Sequence, residues 1–156
     1  MLEMKLDLLE IERKVHLESH DVEGVVINQL ETAECLIELK RWHQALELAA
    51  GLEDLYTWFG DINGQIRILL VRAKAYLELG QFADASAPLI DSQAMAAWSE
   101  DKVNWEMLAK VEELRAYSHS IQGFTEDAER VSKEVLRIRE ILSYENHEEE
   151  TGEIDG

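Results

Sequence analysis

The sequence predicts an all-α fold: an α-solenoid of about three helix-turn-helix repeats behind a leading helix, about seven helices in all. Three observations predict it. Two stretches 40 residues apart share one pattern, Cys35 to Ala45 and Ala75 to Ala85, with Leu39/Leu79, Trp42/Phe82 and Ala45/Ala85 in register. A helix, a tight turn and a second helix recurring at such a period is the mark of a solenoid. Pro occurs once and Gly eight times in 156 residues, so little interrupts helices. Val, Ile and Thr nowhere alternate with polar residues over a long run, whereas apolar residues recur every three or four positions.

The first helical segment is residues 2–19, where Leu2, Leu6 and Leu9, then Leu8, Ile11 and Val15, have helical spacing. Ser19-His20-Asp21 breaks it, and the Asp21 side chain can accept from the first amides of the next helix. That second helix runs about 22–39, with Val26, Leu30, Ala33 and Ile37 on one face. A turn at Lys40-Arg41 leads to a third, opening at Trp42 and carrying Ala45, Leu46, Leu48, Ala49, Leu52 and Leu55. Residues 60–64, Gly-Asp-Ile-Asn-Gly, read as the clearest loop.

The fourth helix, about 65–79, is apolar on two flanks and polar only along Arg67, Lys74 and Glu78, the pattern of a helix sandwiched between neighbours. Gly80 ends it, because a left-handed residue costs glycine little. Phe82 opens a fifth helix reaching about Trp98, with Pro88 inside it as an expected kink. Ser99-Glu100-Asp101 restarts the chain into a sixth helix defined by Val103, Met107, Val111, Leu114 and Ile121. Gly123 ends that helix and Thr125 is placed to cap the seventh, whose Ala128, Val131, Val135, Ile138 and Leu142 keep a 3,4,3,4 rhythm. The run from Gly123 to Ala128 matches Gly80 to Ala85 in length, 43 residues on. Residues 1–144 are expected to form one domain. Residues 145–156, acidic and poor in apolar surface, are expected to be a disordered tail.

Hydrophobic residues make up 46% of the chain, enough to bury a continuous core. The net charge is −18, and six acids lie in the last twelve residues, which hold no Lys or Arg. Phosphate neutralisation needs cations, so this balance excludes nucleic acid and anionic membrane as partners and leaves basic proteins or peptides as the charge-matched class. Cys35 stands alone, which rules out an internal disulfide and suits a small core residue. No apolar run approaches the roughly 20 residues of a membrane span. The start, from Met1 to Asp7, lacks a signal peptide's order. A soluble, cytoplasmic protein is expected.

The quoted motifs resemble tetratricopeptide repeats over roughly residues 22–142. They carry a small and an aromatic residue in the first helix (Ala75-Tyr76), Gly at the turn (Gly80), an aromatic two later (Phe82), then Ala (Ala85). The first repeat has Lys40 for the turn Gly, and the third has Thr125 at the aromatic position beside Phe124. Spacings of 40 and 43 exceed the standard repeat of about 34. They are similar to the longer-helix variants of MalT-type bacterial regulators, peptide-receptor regulators and kinesin light chains. The resemblance implies a right-handed solenoid that binds a protein or peptide along a concave surface lined by each pair's first helix. The matching positions are Ile27, Glu34 and Glu38, then Arg67, Lys74 and Glu78, then Lys110, Tyr117 and Ile121. Glu34 and Glu38 stand where a subclass that grips a C-terminal carboxylate would need cations or amides, which argues against that subclass. Ion pairing between repeats on a solvated face, Glu34 with Lys74 or Glu38 with neighbouring cations, is the competing account of these charges.

Nothing specifies a reaction, a metal or a cofactor. Glu12 and His16 sit one turn apart, and His147 precedes three Glu, but neither has the spacing of a metal cage. Phosphate-loop glycine patterns do not occur. Residues 61–64 hint at a calcium loop but have Arg72 where the closing acid belongs. Ser118-His119-Ser120 has no visible orienting acid. Trp58, Trp98 and Trp105 fall near helix ends, and any that is exposed is a candidate interface anchor. Leu136 and Ile141, outside the last helix's stripe, are candidates for homodimer contact. The expected function is that of a non-catalytic binding scaffold. An effector-sensing regulatory domain of a larger regulator, or a metal-dependent enzyme using an acidic interhelical site, are the alternatives.

Overall fold

The structure, a computed structural model, describes residues 1–98 and 102–155, with side chains as far as Glu148. Among the described residues it is all helical, with no strand. Its seven helices are α1 (Leu2–Glu18), α2 (Val22–Glu38), α3 (Trp42–Phe59), α4 (Ile62–Glu78), α5 (Phe82–Ala97), α6 (Trp105–Ile121) and α7 (Thr125–Asp155). By contacts the chain divides into two compact units, Met1–Pro88 and Leu89–Gly156, parting inside α5.

Five turns share one construction. The turn residues His20, Lys40, Gly60, Gly80 and Gly123 all take positive φ, between 57° and 83°. In each turn the following amide reaches back to a carbonyl five residues earlier: Asp21 to His16, Arg41 to Leu36, Asp61 to Tyr56, Gln81 to Tyr76 and Phe124 to His119. The turn residue itself donates three residues back, as Lys40 does to Ile37 and Gly80 to Leu77. This is the Schellman closure, which satisfies carbonyls a helix end would otherwise leave unpaired. The first four turn residues are spaced 20 apart, so α1 obeys the same rule as the later helices. Two of the five are not glycine.

The helix starts repeat as well. The Asp21 and Asp61 carboxylates each accept from the amide three residues on, Gly24 and Gly64, both at 3.0 Å. The Asn104 amide oxygen accepts from Met107 N at 3.2 Å, at the equivalent place 43 residues later. The two glycines sit where the preceding helix closes in. A Cβ on Gly64 would lie 2.2 Å from Tyr56 Cδ1, and one on Gly24 would lie 2.5 Å from His16 Nδ1.

Several boundaries differ from the expectation. The presumed loop at 60–64 is only Gly60 and Asp61, because Asp61 caps a helix that starts at Ile62. Thr125 is the first helical residue rather than a cap, since the Phe124 carbonyl already accepts from Ala128 N. The expected restart at 99–101 lies outside the described residues, and Asn104 caps α6. Pro88 lies within a continuous α5. Past Tyr144 the α7 backbone stays helical to Asp155, so the expected tail does not begin at a helix end.

In the first unit α2 packs against α1, α3 and α4, and α3 packs against α4. The core joins Val26, Leu30, Ala33 and Leu36 of α2 to Ala45, Ala49, Leu52 and Tyr56 of α3 and to Ile68 and Val71 of α4. Helix α4 is buried on several sides, as its two apolar flanks predict. Ala45 and Ala85, matched in the repeat, are both fully buried. Cys35 is buried, its thiol pushed up chiefly by desolvation, with Sγ 3.5 Å from the Leu2 carbonyl. In the second unit α6 packs on α7, with Met107, Ala109 and Val111 buried on one and Val131, Val135 and Ile138 on the other. No helix among the described residues is long and apolar enough to cross a membrane.

Candidate functional site

The ridge expected from the first helix of each pair falls partly in each unit. In the first unit, α2 and α4 lie side by side and their charges engage one another. The Arg67 guanidinium grips the Glu34 carboxylate with both Nε, at 3.1 Å, and Nη2. The Glu34 bond, ahead of an opposing desolvation, raises the Arg67 pKa further. Lys74 Nζ lies 2.9 Å from Glu78 Oε1. Glu34 thus pairs with Arg67 rather than with the expected Lys74, whose ammonium lies against Glu78 one turn along its own helix. Ile27 and Glu38 are exposed. In the second unit Lys110 and Ile121 are exposed and Tyr117 is half-buried.

A second feature lies wholly in the second unit. A cleft of about 500 Å³ between α5, α6 and α7 is walled by Ile90, Ala94, Ala97, Trp98, Trp105, Leu108 and Ile138. Trp98 is 82% exposed, and Ile90 is exposed beside it. Trp105 is half-buried.

The cleft's polar groups are held in place. Glu112, 5% exposed, accepts from Gln93 Nε2 at 2.7 Å and pairs with Arg115 Nη1 at 2.6 Å. Arg137 and Glu134 pair at 2.8 Å on the α7 side. The result is a cleft with an exposed apolar lip at Ile90 and Trp98 and a buried, paired carboxylate at Glu112, a form suited to holding an apolar side chain and orienting the backbone beside it.

Of the four tryptophans, Trp58 and Trp98 are exposed and Trp42 and Trp105 half-buried. Leu136 is exposed and Ile141 half-buried. Their places near helix ends singled out Trp98 and Trp105, but sequence reasoning missed Ile90, Gln93, Glu112 and Arg115. The available signal was Leu89-Ile90: adjacent helical residues point about 100° apart, so burying Leu89 turns Ile90 outward. Glu112 gave no such signal, since a Glu on an amphipathic helix ordinarily reads as solvated.

The histidine candidates resolve locally. His16 Nδ1 lies 3.0 Å from Asp21 Oδ2 rather than meeting Glu12, and among the described residues no three His, Cys, Asp or Glu side chains cluster in a way that would hold a metal. No protein-family model matches the chain, and no curated protein matches it either.

Proposed function

We propose that the chain is a non-catalytic, tetratricopeptide-like binding module of the cytoplasm. It takes a segment of a partner protein in the second unit's cleft, with an apolar anchor against Trp98 and Ile90 and basic residues flanking it. The observation that carries this reading is Trp98, held 82% exposed beside Ile90 and Trp105 at the mouth of a cleft. A large indole left in water at a concave site is the usual form of a binding hot spot. The repeated turns and caps support a rigid helical-repeat frame, so most of the ordering cost falls on the partner's segment. The charge of −18 favours a basic approach and speeds encounter at low salt. A lone buried thiol suits a reducing compartment.

The test is a panel of short peptides sharing a central Leu or Trp, with basic, neutral or acidic flanks. It is read by tryptophan emission and by calorimetry on the whole chain. Basic-flanked peptides should bind, Trp98→Ala should weaken them at least tenfold, and Ile90→Glu should do the same without lowering the melting temperature. The proposal fails if no class binds, or if binding survives both substitutions.

A further inference from the structure

Helix α1 is apolar on two opposite faces, and only one is used. Leu9 is buried against α2, and Leu6 packs on the first unit's core. The other face carries Met4, Leu8, Ile11 and Val15 at spacings of 4, 3 and 4. They are 71%, 54%, 59% and 58% exposed. That spacing is the seam of a two-helix coiled coil, with Leu8 and Val15 at one class of core position and Met4 and Ile11 at the other.

The residues beside the seam say what fits it. On one side are Lys5 and Glu12, on the other Asp7 and Lys14. Lys5, Asp7 and Glu12 make no ion pair among the described residues, and Lys14 only a 4.0 Å contact with Glu10. Laid antiparallel on a second α1 about a twofold axis, the seam pairs Leu8 with Ile11 and Met4 with Val15 of the other copy. In that arrangement like flanks face one another. Lys5 then meets Glu12 of the other copy, and Asp7 meets Lys14, each contact occurring twice. A parallel arrangement would instead bring Asp7 against Glu12 twice.

We infer that the chain self-associates through α1, antiparallel to α1 of a second copy. This surface differs from the exposed Leu136 on α7, which has Lys133 and Glu140 one turn either side instead of an apolar stripe. The seam is four residues long, so the interface is of the small, reversible class.

Sedimentation equilibrium of the whole chain over a wide concentration range tests this. The expected result is a reversible monomer–dimer equilibrium. Leu8→Ser should weaken it at least tenfold while helicity and melting temperature hold, because Leu8 is more than half exposed. Lys5→Glu should weaken it severalfold, and Lys5→Glu combined with Glu12→Lys should restore it, since the swap rebuilds both contacts with reversed sign. A chain that is monomeric at every concentration overturns the inference. So does a dimer that survives Leu8→Ser but is lost in Leu136→Ser, or a double swap that fails to restore association.

Discussion

Replacing Lys40 by glycine should stabilise the protein. Lys40 sits at φ 60° in the same turn that Gly60, Gly80 and Gly123 make at φ 70° to 83°. A Cβ in the left-handed region crowds the neighbouring carbonyl at about 1–2 kcal/mol. Glycine's greater freedom in the unfolded chain returns about 0.5–1 kcal/mol of that. The net gain for Lys40→Gly is therefore about 0.5–1 kcal/mol. The reverse change, Gly80→Ala, should lose about as much, and by strain alone, because a Cβ on Gly80 would have nothing within 4 Å. Urea denaturation of the two variants and the parent, compared at constant slope, measures both effects. A gain of this size should also raise the melting temperature by about 1–4 °C. A Lys40→Gly variant that is neutral or weaker, beside an unchanged Gly80→Ala, would refute the claim that these turns share one strained position.

Other outcomes follow from the packing and the charges. Gly64→Ala should destabilise by about 1–3 kcal/mol, through the clash with Tyr56 that its Cβ would make at 2.2 Å, although alanine is the better helix former. Gly51→Ala, in the open interior of α3, should instead gain about 0.5–1 kcal/mol, and the same denaturation series compares them. Arg115→Met should cost about 1–3 kcal/mol, because it takes a partner from buried Glu112, whereas Arg130→Met at the exposed pair with Asp127 should change stability by less than about 0.5 kcal/mol. Burial pushes the Tyr56 phenol up to about 12 from 10.0. Its contribution to stability is therefore complete below pH 10 and is lost as the pH rises toward 12. Over that window the parent should lose stability faster than Tyr56→Phe, and an ultraviolet titration should lose its late-ionising phase in that variant.

Local signals carried the helices. The apolar spacing of Val26 to Ile37 and of Val131 to Ile138 placed buried faces correctly, because side-chain direction on a helix follows from position alone. The matched Ala45 and Ala85 marked close approaches for the same reason. The caps were legible at Asp21 but not at Asp61. There, Gly at both ends of residues 60–64 suggested a loop, whereas Gly64 is inside the helix to let Tyr56 approach. The positive φ at Lys40 was invisible as well, since a turn imposed by two packed helices can hold a residue that would not choose it.

By itself the sequence determined the all-helical class, the 40-residue period and the positions of most buried faces, all of which depend on neighbours a few residues apart. Only tertiary structure decided that Glu34 meets Arg67, that Glu112 is buried between Gln93 and Arg115, and that Trp98 stands open beside a cleft. It also decided that α1 spends one apolar face on α2 and leaves the other in water. Each of these joins residues from different helices or weighs one face against another, and spacing along a single helix carries no information about which neighbour arrives to cover it.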